Sequence, residues 1–240
     1  MFNYVAFPDI ENTNADGLLA AGGDLSVDTL ISAYSQGIFP WFNDDQPILW
    51  WSPDPRLVLF PQDIKVSKSL CKTIRQNRFQ LRSNTAFEQV LKGCALRGAD
   101  SKSTATEETW ITQSMHDAYL TLHNQGYAHS IEVWQNQQLV GGLYGLALGP
   151  VFFGESMFSK VSNASKVALV GLCEHLINKG IDIVDCQVAS DHLFTMGAVE
   201  IPRSLFMQFL ESINLSQEQN LSRLTHDNFA IGIENAINKL

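Results

Sequence analysis

The stretch from residue 128 to residue 188 constrains this chain most. Within it, residues 139–154 carry no charge and are almost wholly apolar. A bilayer-spanning helix needs about 20 such residues. This run is shorter, and several Gly and Pro150 break it. Two buried strands joined by a turn satisfy the pattern better. Residues 128–135 and 138–148 read as strands around an Asn136-Gln137 turn, and residues 151–158 read as a third. Ser162 or Asn163 then opens a helix that runs to Lys179 and closes on Gly180. Residues 181–188 are β-rich and nearly continuously apolar, the pattern of a strand covered on both faces. A helical turn over residues 192–197 and a last element after Pro202 complete the chain. The second half therefore reads strand–strand–strand–helix–strand–helix–strand, a mixed α/β (α+β) class.

With 240 residues, 45% of them apolar, the chain can cover such a sheet in one large domain beside a smaller lobe. Residues 1–61 are rich in Pro, Gly and aromatics and read as that lobe, with residues 62–240 as the main domain. The lobe contains one predicted helix near residues 26–36, capped by Ser26 and ended by Gly37. Helices are also predicted over residues 85–96 and 109–126, with a polar loop at 97–108 between them.

Several function classes are disfavoured. No basic segment followed by an apolar core opens the chain, so a secretory signal is not expected. The four cysteines are scattered without a CxxC pair, and reduced thiols in a cytoplasmic protein are the expectation. The six histidines show no HExxH or paired-ligand spacing, so no metal is expected. No serine lies in a GxSxG context. A net charge of −9 argues against broad nucleic-acid binding. The distribution of charge is more informative. Lys65, Lys68, Lys72, Arg75, Arg78 and Arg82 follow one another without an intervening acid. Ser67 can cap a helix here that puts Lys68, Lys72 and Arg75 on one side. A solvated charged face and a grip for one end of an RNA explain this equally well.

Three places could carry chemistry. In Asp185-Cys186-Gln187, at the end of the last buried strand, the period-2 rule puts Asp185 and Gln187 on one face. A carboxylate in an apolar strand is costly unless it is hydrogen-bonded or used. A strand-end Asp that caps the next turn is the plain alternative. Glu155 ends the preceding strand at the same sheet edge, where ligands of α/β sheets gather; a simple surface Glu is the commoner case. The helix start at Ser162-Asn163 could hold a phosphate or simply be capped. It lacks the Gly-rich pyrophosphate loop expected of an acetyl-CoA enzyme.

Through Gly22-Gly23-Asp24-Leu25-Ser26, Gly37-Ile38-Phe39-Pro40-Trp41-Phe42, and Trp50-Trp51-Ser52-Pro53-Asp54-Pro55-Arg56 the chain bears a resemblance to the leucyl/phenylalanyl-tRNA–protein transferase family. The resemblance continues through Thr109-Trp110-Ile111-Thr112, Gly154-Glu155-Ser156-Met157-Phe158-Ser159, Asp185-Cys186-Gln187 and Gly197-Ala198-Val199-Glu200-Ile201-Pro202-Arg203. These runs occur in order from about residue 7 to residue 209.

The resemblance implies an N-acetyltransferase-like (GNAT) domain behind a small N-terminal lobe. It implies that the free α-amine of a protein beginning with Arg or Lys attacks the ester of Leu-tRNA or Phe-tRNA, with Met also tolerated. The product enters the N-end rule degradation route, and no cofactor is required. It places Asp185 and Gln187 at the reaction centre and Glu155 on the acceptor. Trp41 and Trp110 would stack on the terminal adenosine of the tRNA, with Tyr34 and Tyr119 beside them. Leu143, Met157, Leu169 and Val184 would line the amino-acid pocket, and Lys68, Lys72 and Arg75 would touch the tRNA backbone. Cys71 and Gln76 interrupt the basic segment more than is usual in the family, which implies more salt-sensitive tRNA binding. Two other readings stay open: an acetyl-CoA-dependent acyltransferase and a non-catalytic aminoacyl-tRNA binding module.

Overall fold

The computed structural model describes residues 3–96, 111–213, 215 and 224. The expected loop at 97–108, Trp110 and most of the tail lie outside the described residues.

Two sheets organise the chain. The smaller contains β1 (Leu18–Ala21), β2 (Phe39–Pro40) and β3 (Leu49–Trp51) in the order β1-β3-β2, all antiparallel. Helix α1 (Val27–Ser35) packs beside it, with the Ser26 hydroxyl accepting from the Thr29 N–H as the cap residue predicts. The larger sheet has seven strands. These are β4 (Arg56–Leu59), β5 (Gln80–Ser83), β6 (Ala128–Gln135), β7 (Gln138–Leu148), β8 (Val151–Ser159), β9 (Ile183–Gln187) and β10 (Val199–Ile201). They run in the order β10-β4-β9-β8-β7-β6-β5, and only β8 and β9 are parallel. β4 belongs to this sheet although it precedes residue 61.

Helices cover both faces. α3 (Phe87–Ala95) and α4 (Gln113–Asn124) join α1 on one side; α2 (Lys68–Arg75) and α5 (Ala164–Lys179) lie on the other. On β7 the two cores alternate residue by residue: Leu143 and Ala147 face α5, while Tyr144, Leu146 and Leu148 face the α1–α3–α4 side. Burial on both faces is why this strand reads as an unbroken apolar run. Gly141 lets α5 approach closely, since a Cβ there would lie 2.5 Å from the Ala164 Cβ. Gly180 ends α5 in the left-handed conformation, as its position predicts.

After β9 come the short α6 (Asp191–Thr195), β10 and α7 (Arg203–Leu210). Arg203 fastens the lobe to this end of the chain. Its guanidinium donates to the Ser52 carbonyl at 2.6 Å and to the Thr13 hydroxyl at 3.0 Å, and its N–H donates to Asp54 at 3.0 Å. The result is a mixed α/β domain with a small N-terminal lobe seated on it. No helix among the described residues is long and apolar enough to cross a membrane.

Candidate active site

β8 and β9 pair from Val151↔Ile183 to Phe153↔Asp185. Beyond that point β8 continues alongside β7 and β9 alongside β4. A cavity of about 280 Å³ opens where the pairing stops, lined by Glu155, Ser156 and Met157 on one side and Cys186, Gln187 and Val188 on the other. Leu143, Phe152, Leu169 and Val184 give it an apolar wall, and Phe39, Pro40 and Trp41 of the lobe close another side.

Two β-bulges aim the polar groups. In β8, Tyr144 pairs with Ser156 and Gly145 with Gly154, which leaves Glu155 as the extra residue. Gly145 permits this because a Cβ there would meet the Phe153 carbonyl oxygen at 2.1 Å. In β9, Leu57 pairs with Gln187 and Val58 with Asp185, which leaves Cys186 as the extra residue. Bulges re-aim side chains in this way beside functional sites. The second one undoes the period-2 expectation for Asp185 and Gln187. Gln187 takes a left-handed backbone with φ 66° and lines the cavity, whereas Asp185 is fully buried beneath it.

Glu155 is the centre of a hydrogen-bonded group. The Tyr34 hydroxyl donates to Oε1 at 2.7 Å and the Tyr119 hydroxyl to Oε2 at 2.8 Å. Gln187 Nε2 donates to Oε1 at 3.1 Å. The two phenol oxygens also contact each other. Burial pushes the Glu155 carboxyl up to about 7, although the bonds from Tyr34 and Tyr119 pull the other way. Burial, and next the Glu155 charge, hold both phenols well above their usual range, so they remain neutral donors. Tyr34 and Tyr119 are 0% exposed. Their hydroxyls support Glu155. Trp41 lines the cavity and is 45% exposed.

Asp185 is held by Arg56, which donates from Nε to Oδ1 at 2.8 Å and from Nη2 to Oδ2 at 2.6 Å. Arg56 is absent from the residues expected at the site. Its signal was a charge inside the apolar strand Arg56-Leu57-Val58-Leu59, which demands a buried counter-ion. Burial, and next the Asp185 charge, raise the Cys186 thiol well above its ordinary range.

Lys68, Lys72 and Arg75 are exposed on α2, and none forms an ion pair among the described residues. α2 lies against α5, whose Leu169 and Leu172 line the cavity, and Asn163 donates to the Thr73 hydroxyl at 3.2 Å. The basic helix thus covers the α5 face of the sheet, opposite α1.

The sequence family described as leucyl/phenylalanyl-tRNA protein transferase matches residues 58–211, and its N-terminal domain matches residues 23–54. The chain belongs to this family. A family protein from Pseudomonas syringae pv. tomato, called leucyl/phenylalanyl-tRNA–protein transferase, is 53% identical over 210 residues, covering 87% of this chain and 90% of its own. One of the same name from Nitrosomonas eutropha is 52% identical over 222 residues, covering 92% and 93%. Among solved structures, an aminoglycoside acetyltransferase from a soil metagenome is 15% identical, with a TM-score of 0.37, and covers 50% of this chain and 84% of its own. The two family segments meet between residues 54 and 58, where the chain leaves the lobe sheet and enters β4.

Proposed function

We propose that this family member transfers leucine or phenylalanine from aminoacyl-tRNA to the N-terminal α-amine of a protein beginning with Arg or Lys, marking it for N-end rule degradation. The observation that carries this reading is the cavity itself. An apolar wall of aliphatic and aromatic side chains ends at a carboxyl–amide pair, Glu155 and Gln187, held 3.1 Å apart.

The apolar wall takes the donor side chain. Such a wall separates aliphatic groups by only about 1–3 kcal/mol per methylene, so leucine, phenylalanine and methionine are all admitted and charged side chains are not. Trp41 stacks on the terminal adenosine. The α-amine nitrogen attacks the ester carbonyl carbon, a C–N bond forms, and the C–O bond to the ribose breaks. The amine's proton must leave and the ribose oxygen must gain one. Gln187 orients the amine or the developing oxyanion, and Glu155 pairs with the cationic side chain of the acceptor's N-terminal Arg or Lys. The ester is already activated, so positioning supplies most of the rate. Lys68, Lys72 and Arg75 hold the tRNA backbone.

The test mixes the protein with radiolabelled Leu-tRNA and peptides that differ only in beginning with Arg or with Met. Label on the Arg peptide alone is the expected result. Tight tRNA binding without transfer to either peptide would overturn the reading in favour of a binding module.

A further inference from the structure

Arg56 does not itself line the cavity, yet hydrogen bonds through Asp185 join it to Gln187. Its guanidinium is fully buried and lies between two rings, 4.8 Å from the Phe39 centroid and 4.9 Å from the Phe206 centroid. Phe39 belongs to the lobe and lines the cavity; Phe206 belongs to α7. Clamped there, the guanidinium meets Asp185 with both carboxylate oxygens engaged. One of those oxygens, Oδ1, also accepts the Gln187 N–H at 2.9 Å.

That last bond matters because Gln187 has φ 66°. An L-residue other than Gly, Asn or Asp enters this region only when its surroundings compensate. The Asp185 carboxylate supplies the compensation, and Arg56 fixes the carboxylate. Arg56 Nη1 has no hydrogen-bond partner among the described residues. A buried, incompletely satisfied charge is a poor device for stability. Its value lies in orientation.

We infer that Arg56 is a positioning residue for the transfer reaction: clamped between Phe39 and Phe206, it locks Asp185, which holds Gln187 in the left-handed conformation that aims its amide at Glu155. The inference rests on the transferase reading for its kinetic part. Because Phe39 is a lobe residue, the same clamp makes the aim of Gln187 depend on the lobe being seated.

Arg56→Lys keeps the charge and gives up the planar fork and the ring stacking. Its turnover per folded molecule should fall roughly 10- to 100-fold, as small misplacements at a reacting centre do. KM for Leu-tRNA should stay within about twofold, because the tRNA contacts are untouched. The Gln187 backbone amide, followed by hydrogen exchange, should lose protection. Phe206→Leu keeps the ion pair and removes one ring; it should show the same signature more weakly, and it serves if Arg56→Lys does not fold. A purely structural Arg56 would lower the melting temperature and leave turnover per folded molecule and the Gln187 amide unchanged, which overturns the inference. If the parent protein transfers nothing, the transferase reading falls, and the Gln187 amide alone decides whether Arg56 positions it.

Discussion

A carboxyl group among aromatic rings ionises reluctantly, and Glu155 is the case in point. Its ordinary value is 4.5 and burial raises it to about 7. The unfolded chain therefore releases this proton near pH 4.5, while the folded protein keeps it until near pH 7. Between those values the unfolded state binds fewer protons, so stability falls as pH rises, and the loss is complete above pH 7. The size of the effect is about 3 kcal/mol at most. Glu155→Gln removes this titration. The stability gap between variant and parent, read by urea unfolding at pH 5 and at pH 8, should move in the variant's favour at the higher pH. An equal gap at both values would mean that Glu155 ionises normally in the fold. Glu155 was legible as an acid in an otherwise apolar run, but as one that ends its strand, whereas β8 continues to Ser159 with Glu155 at its bulge. Its two phenol partners were legible only as aromatics, since nothing in the sequence tells a stacking ring from a buried hydroxyl donor.

Elements were easier to read than their exceptions. The turn at Asn136-Gln137, the strands on either side and the α5 cap at Gly180 all follow from local chemistry, and the structure has them. The short strands β4, β5 and β10 are paired only through tertiary contacts, and none announces itself by alternation. The bulges at Glu155 and Cys186 are equally silent, because an extra residue in one strand is defined by its partner strand. Gly141 shows how tightly the elements meet. Gly141→Ala would set its new methyl 2.5 Å from Ala164 and 3.1 Å from the Phe158 carbonyl oxygen. Neither neighbour has a flexible end, so α5 must move off β7. The expected loss is about 1–3 kcal/mol in urea unfolding, with a lower melting temperature. Because α5 supplies Leu169, the same shift should weaken discrimination among donor amino acids.

Across the molecule, charge is segregated. Residues 1–55 contain no Lys or Arg, while residues 65–82 contain six and no acid. The cavity lies between the lobe and the domain that carries this basic run. Replacing Lys68, Lys72 and Arg75 with Ala should weaken binding of Leu-tRNA without changing the preference for its amino acid. The slope of log K against log salt should drop by roughly 0.7–1 per residue removed. An unchanged slope would show that these side chains face solvent and nothing else. Lobe and domain are joined through buried charges, Arg203 on the Ser52 carbonyl and Arg56 against the Phe39 ring. The hydrogen-bonded group around Glu155 therefore comes from segments far apart in sequence: Tyr34, Tyr119, Glu155 and Gln187 converge although more than 150 residues separate the first from the last.

By itself, the sequence determined the strand–helix order from β6 to α6, the caps at Ser26, Ser67 and Gly180, and the position of the basic helix. Each of these depends on neighbours in the chain: periodicity, a capping hydroxyl, a glycine after a helix, charges spaced on one face. The tertiary structure alone decided that β8 and β9 part after Phe153 and Asp185, that Glu155 and Gln187 meet across the gap, and that Asp185 turns away to Arg56. These facts depend on register between strands and on which buried charge finds which partner. Both are settled only when the sheet closes and water is excluded.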